Sequence, residues 1–114
     1  MNQQKLAQRV LSKLGVWDQE TVGAVDQQNV TDAYNGVYEV LKDEGLVTWS
    51  SSDDIPTKHE TAIIMLVVSQ LKPDYRIPQS QTDLVPIHLH PATMMIRRQL
   101  ATPYVPQDTT ATYY

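Results

Sequence analysis

The sequence contains no cysteine and no phenylalanine among its 114 residues. Without cysteine, the chain can form neither a disulfide framework nor a metal site built on thiolates. Without phenylalanine, the bulk of a core must come from aliphatic side chains, methionine, two tryptophans and six tyrosines. Glycine is also scarce, and its four residues are widely scattered, so no glycine-rich phosphate-binding loop is present.

Long apolar runs and an excess of basic charge are missing as well. The longest uninterrupted apolar run, AIIMLVV at residues 62–68, is far shorter than the roughly 20 residues that a membrane-spanning helix needs. Thirteen acidic and nine basic residues give a net charge of −4, whereas a protein that binds nucleic acid through phosphates normally carries the opposite sign. We therefore expect one globular domain without a membrane partner.

The spacing of apolar residues predicts an all-α fold. A helical stripe indicates a first helix over Gln3–Leu14, which Gly15 ends in a left-handed conformation. A second helix is expected to begin at Asp26 as its N-cap and to close at Gly45. We interpret Gly36, in the middle of that helix, as a mark of close packing by a neighbouring helix.

The second half of the chain predicts a central buried helix and a shorter last one. Thr57 and Glu60 have the spacing of a capping box, which would open a helix over residues 58–71. A short helical turn is expected near residues 80–84, and Pro91 is well placed to begin a final helix over residues 91–100. The predicted fold is thus a small helical bundle of three to five helices, formed by residues 1–101.

Residues 102–114, TPYVPQDTTATYY, have no helical period. The prolines disfavour a helix and the threonines favour extended backbone, so this segment predicts an extended C-terminal arm. Tyrosine offers a large contact area with a hydroxyl at its wet end. The alternative is a frayed terminus without a role.

The residues with catalytic or metal-binding chemistry do not form a recognisable motif. His88 and His90 are two residues apart between prolines, and a third metal ligand is not identified. Asp53 and Asp54 are neighbours in a loop, while Ser50–Ser52 lack a partnering base in any known order. We expect no metal, no cofactor and no enzymatic activity.

Four residues are candidates for contacts with other copies of the chain or with a partner protein. Trp17 and Trp49 each follow a helix, and their main interpretation is as lids on a core without phenylalanine. Tryptophan is also enriched at interface hot spots, so both are possible contact residues. Arg97 and Arg98 form an adjacent basic pair, which is either solvated or placed against a partner's acidic patch.

One local pattern suggests a different class. The stretch VLKDEGLVTW, residues 40–49, is similar to the end of a recognition helix that leads into the wing of a winged-helix DNA-binding domain. However, Lys42 is the only basic residue of the second predicted helix, and the acidic stretch SSSDD follows. A helix that faces DNA phosphates should be basic, so this remains an alternative of second rank.

Four stretches together resemble a known family: RVLSKLGVW, LKDEGLVTW with DDIP, LKPDYRIP, and RRQLATPYVPQDTTATYY. They resemble the head-to-tail adaptor proteins of tailed bacteriophages, also called head-completion, connector or packaged-DNA-stabilisation proteins. The resemblance covers nearly the whole chain in order. The chain departs from the family at Pro86 and Pro91, where such proteins usually have one long helix rich in alanine and leucine.

The resemblance implies a structural virion protein at the head–tail interface, assembled in the host bacterial cytoplasm. Its subunits would form a ring, usually of twelve, that continues the DNA channel beneath the portal and contacts tail or nozzle proteins. Packaged DNA would pass through without sequence-specific binding, and an acidic lumen would let it slide. A C-terminal extension would reach onto the portal through Pro103, Tyr104, Val105, Pro106, Tyr113 and Tyr114.

Overall fold

Four α-helices are present in the computed structural model, which describes residues 1–15 and 23–100. They are α1 (Gln3–Leu14), α2 (Ala24–Asp43), α3 (Glu60–Leu71) and α4 (Pro91–Leu100). Single turns of 3-10 helix lie at Thr57–His59, Pro73–Tyr75, Thr82–Leu84 and Ile87–Leu89. Because the described residues contain helices and no strand, the predicted all-α bundle is confirmed.

Helix α3 is the centre of the bundle, since α1, α2 and α4 all pack against it. Its side chains are buried around most of its circumference, and Ile63, Leu66 and Val67 are fully inaccessible to solvent. Full burial of one such side chain contributes about 1.5–3 kcal/mol. A helix with so little polar surface is stable in water only when neighbours cover it, as the apolar run predicted.

Helix α1 has the bounds that the sequence predicts. Its apolar stripe, which includes Leu6, Val10 and Leu14, is buried against α2 and α3. Asn2 caps the helix by accepting a hydrogen bond from the backbone N–H of Lys5. Gly15 ends it with φ 76°, a left-handed conformation that a residue with a Cβ adopts only with strain.

Helix α2 begins earlier than predicted and corrects two expectations. Its N-cap is Gly23, and Asp26 lies within the first turn, where the Asp26 carboxylate accepts a hydrogen bond from the Tyr75 hydroxyl at 2.6 Å. Asp26 is therefore not the cap. Gly36 is exposed, and apart from the nearby backbone of α2 itself, no heavy atom of the described residues lies within 4 Å of the position that its Cβ would occupy. Close packing at Gly36 by another helix of the same chain is therefore wrong.

The start of α3 also differs from the prediction. Thr57 opens a 3-10 turn and makes no capping hydrogen bond, so the capping box is wrong. The tighter turn moves the N-cap of the α-helix to His59, which separates the two side chains that the box would join. Glu60 instead lies 3.4 Å from the amino group of Met1 and 3.5 Å from Arg9.

The connection between α3 and α4, residues 72–90, is irregular, as the prolines predict. The expected turn near residues 80–84 is the 3-10 turn Thr82–Leu84. Pro86 directly precedes the next turn, and Pro91 is the first residue of α4. Proline interrupts helical hydrogen bonding, which explains why this chain lacks one long helix here.

Candidate functional site

A polar cluster at the base of α4 brings together serine, histidine and aspartate. The Ser69 hydroxyl donates to Asp83 Oδ1 at 2.8 Å and lies 3.4 Å from His90 Nε2. Lys72 Nζ donates to Asp83 Oδ2 at 2.8 Å. Ser69 and His90 are buried, whereas His88 is exposed. His88 and His90 therefore lie in different environments, although they are only two residues apart in the sequence.

The direction of the hydrogen bonds shows that this cluster is not arranged as a catalytic triad. The backbone N–H of Ala92 donates to His90 Nδ1 at 3.0 Å, so the lone pair of the imidazole is on Nδ1. The N–H on Nε2 then points towards the Ser69 oxygen, and the Ser69 hydroxyl donates its own hydrogen bond to Asp83. A nucleophilic serine needs a histidine lone pair facing its hydroxyl. The cluster instead caps α4 and ties the connector to α3.

The charges in this cluster are set by its surroundings. The Lys72 ammonium, together with hydrogen bonds from Ser80 and Ser69, holds the pKa of Asp83 well below its usual range. Burial lowers the pKa of His90, and the negative charge of Asp83 opposes that shift in part. A charged Asp83 and a neutral His90 are therefore the favoured forms at neutral pH.

A second cluster is aromatic and surrounds Trp49. The Trp49 indole N–H donates to the Tyr34 hydroxyl at 2.9 Å, and the Tyr38 hydroxyl donates to the Trp49 carbonyl at 2.6 Å. Burial raises the pKa of Tyr34, which keeps this phenol neutral. Trp49 is 8% exposed, so it lies in the core, as its main interpretation predicts. Its role as a contact residue stays a prediction, and Trp17 lies outside the described residues.

His59 completes the aromatic cluster and carries a polar atom without a partner. Its ring stacks on Trp49 with centroids 5.4 Å apart, and its Nδ1 is 2.9 Å from Gln99 Oε1. The Nε2 atom is buried and makes no hydrogen bond. An unsatisfied buried nitrogen destabilises the fold, so His59 is held here by its packing and by Gln99.

The basic pair at the end of α4 is at the surface. Arg97 donates to Glu44 Oε1 at 2.7 Å, and both side chains are more than one third exposed. Exposed ion pairs of this kind contribute about 0–1 kcal/mol. Arg98 is exposed. The pair therefore remains accessible to a partner, next to the point where the described chain ends.

A groove of about 670 Å³ runs between α1 and α3. Its floor is apolar, and Met65, at 40% exposure, is one of the most exposed large apolar side chains among the described residues. Arg9 and Lys13 lie along one side. The sequence did not reveal this groove, because the apolar run of α3 does not indicate which positions face outwards. The lining residues are Gln8, Arg9, Ser12, Lys13, Thr61, Ile64, Met65 and Val68.

An acidic row lies on the exposed face of α2, and its first residue, Asp32, lines a second concavity of about 410 Å³. The row is formed by Asp32, Glu39 and Asp43, with Gly36 between them. The concavity reaches from Asp32 and Gly36 to Gln70 on α3. Spacings of seven and four residues place these carboxylates on one face of a helix, so the sequence did contain a signal for this row.

Other surface features are found on the connector. Leu84 and Leu89 lie in 3-10 turns of the connector, and both side chains are exposed to solvent.

Within residues 1–15 and 23–100, no helix combines the length and the apolar character needed to cross a membrane. The same residues contain no group of three histidine or acidic side chains placed to hold a metal ion. The predicted arm residues, Pro103 to Tyr114, lie outside the described ranges.

No protein-family model, no curated protein and no solved structure matches this chain.

Proposed function

We propose that this chain is a structural virion protein that forms a ring between the portal and the tail of a tailed bacteriophage. The observation that carries the proposal joins the resemblance to the fold. Each of its four stretches spans the end of one of the four helices, from residues 9–17 at the end of α1 to residues 97–114 at the end of α4. The residues that carry the resemblance thus lie around the C-terminal ends of all four helices.

Charge supports a passive relation to DNA. Each subunit carries a net charge of −4, and a ring of such subunits is strongly negative. A negative channel repels DNA phosphates and lets the genome slide without sequence-specific contacts. The alternative, a winged-helix regulator, needs a β-hairpin wing after its recognition helix. Residues 46–56, which follow α2, contain turns and no strand.

The arm provides the proposed contact with the portal. Its tyrosines would bury large amphipathic rings, and its prolines restrict the backbone before binding, which lowers the entropic cost of ordering. One arm binds weakly. Around a ring, many arms act together, and their summed avidity retains the adaptor on the portal.

The decisive experiment mixes the purified protein with its candidate portal ring and images the complexes by electron microscopy. The full chain is compared with a chain truncated after Ala101. We expect rings of full-length protein on the portal and loss of those rings on truncation. Binding that survives truncation would retain the adaptor and reject the arm.

A matched pair of arm variants removes the effect of chain length. Tyr113→Ser with Tyr114→Ser should weaken portal binding, because the aromatic anchors are lost. Thr109→Ala with Thr110→Ala should bind nearly as the natural chain does. Absence of portal binding by every variant, together with retardation of duplex DNA in a gel, would favour the winged-helix alternative.

A further inference from the structure

Two helices of the bundle carry opposite charge. Helix α1 contains three basic residues and no acidic residue, whereas α2 contains four acidic residues and one basic residue. The exposed surface of α1 is therefore positively charged and that of α2 is negatively charged, although the net charge of the chain is only −4.

The charges on each helix fall into a row. Each residue turns an α-helix by about 100°, so Lys5, Arg9 and Lys13 lie within roughly 80° of one another. All three side chains are exposed. By the same measure, Asp32, Glu39 and Asp43 lie within roughly 40° of one another on α2, and Gly36 lies about 20° to one side of them. We name these surfaces the basic row and the acidic row.

The two rows belong to opposite sides of the molecule. Arg9 and Lys13 of the basic row line the groove whose α3 side is formed by Thr61, Ile64, Met65 and Val68, and Lys5 continues the row one turn earlier on α1. Asp32 of the acidic row lines the second concavity together with Gln70 of α3, and Glu39 and Asp43 continue the row along α2. Helical rotation places Gln70 roughly half a turn from Thr61 and Val68. Surfaces on opposite sides of one subunit are what a head-to-tail ring requires.

We propose that the groove between α1 and α3 of one copy receives the acidic row of α2 of the next copy. This inference deepens the proposed function and rests on it, since it specifies the contact that builds the ring. The partner is a second copy of the same chain. The basic row of one copy faces the acidic row of the next copy. The apolar floor of the groove then faces the exposed backbone of α2 at Gly36 of that next copy.

The contact combines three physical contributions. It removes Met65 and the exposed parts of Ile64 and Val68 from water, which favours association. It pairs opposite charges, which sets the register and rejects wrong orientations. Gly36 has no side chain and open space around it, so a partner can approach the α2 backbone closely.

Arg9 remains available for this contact. It lies 3.5 Å from Glu60, but its side chain is 55% exposed, so its pairing within the subunit is weak. Reversal of Arg9 would nevertheless disturb Glu60 as well. A clean test therefore reverses Lys5 and Lys13 at the two ends of the row.

The test measures self-association of the full-length chain by sedimentation velocity and native mass spectrometry. The basic-row variant is Lys5→Glu with Lys13→Glu, and the acidic-row variant is Glu39→Lys with Asp43→Lys. Each alone should weaken self-association by at least about 100-fold, because like charges then face each other. A chain carrying all four substitutions should assemble again.

An equimolar mixture of the two variants gives an independent readout. In a head-to-tail contact, the reversed α1 of one variant attracts the reversed α2 of the other, and their natural faces also attract. The mixture should therefore form assemblies with alternating subunits, although neither variant assembles alone. Raising the salt from about 0.1 M to about 1 M should weaken all these assemblies, because the screening length falls from about 10 Å to about 3 Å.

The control variant is Lys42→Glu with Lys58→Glu, which makes the same charge change as the basic-row variant at exposed positions outside both rows. It should assemble as the natural chain does. Equal weakening by the control, absence of rescue, or a natural chain that stays monomeric at its highest soluble concentration would overturn the proposed contact. Portal binding is scored separately: portal rings that tolerate the reversals reject only this interface, and rescue without portal binding rejects only the adaptor.

Discussion

His90 illustrates how one side chain can look catalytic and act as a cap. It lies next to Ser69 and near Asp83, which are the residue types of a hydrolase triad. Its Nδ1 accepts the backbone N–H of Ala92, the role that serine, asparagine or aspartate usually fills at a helix start. The tautomer that this role imposes leaves no lone pair for Ser69.

The lowered pKa of His90 predicts a pH-dependent stability. The unfolded chain binds a proton at His90 near pH 6.5, whereas the folded chain resists it because the ring is buried. The stabilising contribution is therefore fully present above about pH 6.5 and is lost as the pH falls towards the folded pKa. Asparagine at position 90 can accept the same N–H but does not titrate.

We expect the free energy of unfolding of the natural chain to fall between about pH 7.5 and about pH 5, and that of His90→Asn to fall less. Urea unfolding of both chains at the two pH values measures the difference. His88→Asn, at an exposed neighbour, is the matched control and should leave the pH dependence of the natural chain in place. An identical pH slope for His90→Asn and the natural chain would contradict the assignment.

The unpaired Nε2 of His59 predicts a second effect at the same scale. His59→Phe retains the ring that stacks on Trp49 and removes the unsatisfied nitrogen, while Gln99 can turn to solvent. We expect its free energy of unfolding to stay within about 1 kcal/mol of the natural value. His59→Ala leaves a cavity and should cost about 3 kcal/mol. Equal losses for both variants would show that the Gln99 contact, and not packing, holds this site.

At the scale of the helix, two glycines of the same chain serve different purposes. Gly15 has φ 76° and ends α1, whereas Gly36 lies within α2 and has a negative φ. The open space around Gly36 means that a methyl group meets no neighbour in the isolated subunit. Helix propensity alone then decides the effect of adding one.

Gly36→Ala should stabilise the isolated chain by about 0.5–1 kcal/mol, because alanine loses less backbone entropy on folding. Gly15→Ala is the same chemical change at a left-handed position and should destabilise by about 1 kcal/mol. Thermal unfolding of the two variants compares them directly. Destabilisation by Gly36→Ala would mean that α2 is distorted at this position.

The sequence predicted the helices better than their starts. The pattern was sufficient for both bounds of α1 and α4 and for the end of α3, since Gly15 ends α1, Pro91 begins α4 and Pro73 follows the end of α3. The starts at Asp26 and Thr57 were wrong because two local options compete. Glycine at position 23 already provides extended backbone for a cap, and the Thr57 turn forms 3-10 hydrogen bonds instead.

The sequence predicted the fold better than it predicted the candidate surfaces. The charged rows follow from helical spacing and could have been found. The groove could not, because the outward position of Met65 depends on how α1 and α4 cover α3. The Ser69–Asp83–His90 cluster joins residues from separate elements, and no local pattern connects them.

At the scale of the whole molecule, the buried apolar side chains of the described residues form one connected core. Every buried apolar side chain of the described residues lies between Leu6 and Ile96. We therefore expect a chain truncated after Ala101 to unfold at the same urea concentration, and with the same urea dependence, as the full chain. Circular dichroism follows both transitions. A lower midpoint for the truncated chain would show that the C-terminal segment belongs to the fold and not to an arm.

The position of α3 between the two charged faces has a geometrical consequence. A head-to-tail contact repeats without limit unless each step turns by a fixed fraction of a circle, which is about 30° for twelve subunits. The contact itself does not count subunits; the angle between the two faces does. The packing of α1 and α2 on α3 sets that angle. In the proposed ring, a core substitution that tilts one of these helices by a few degrees would then change the diameter of the central opening, although the substituted residue contacts no neighbouring subunit.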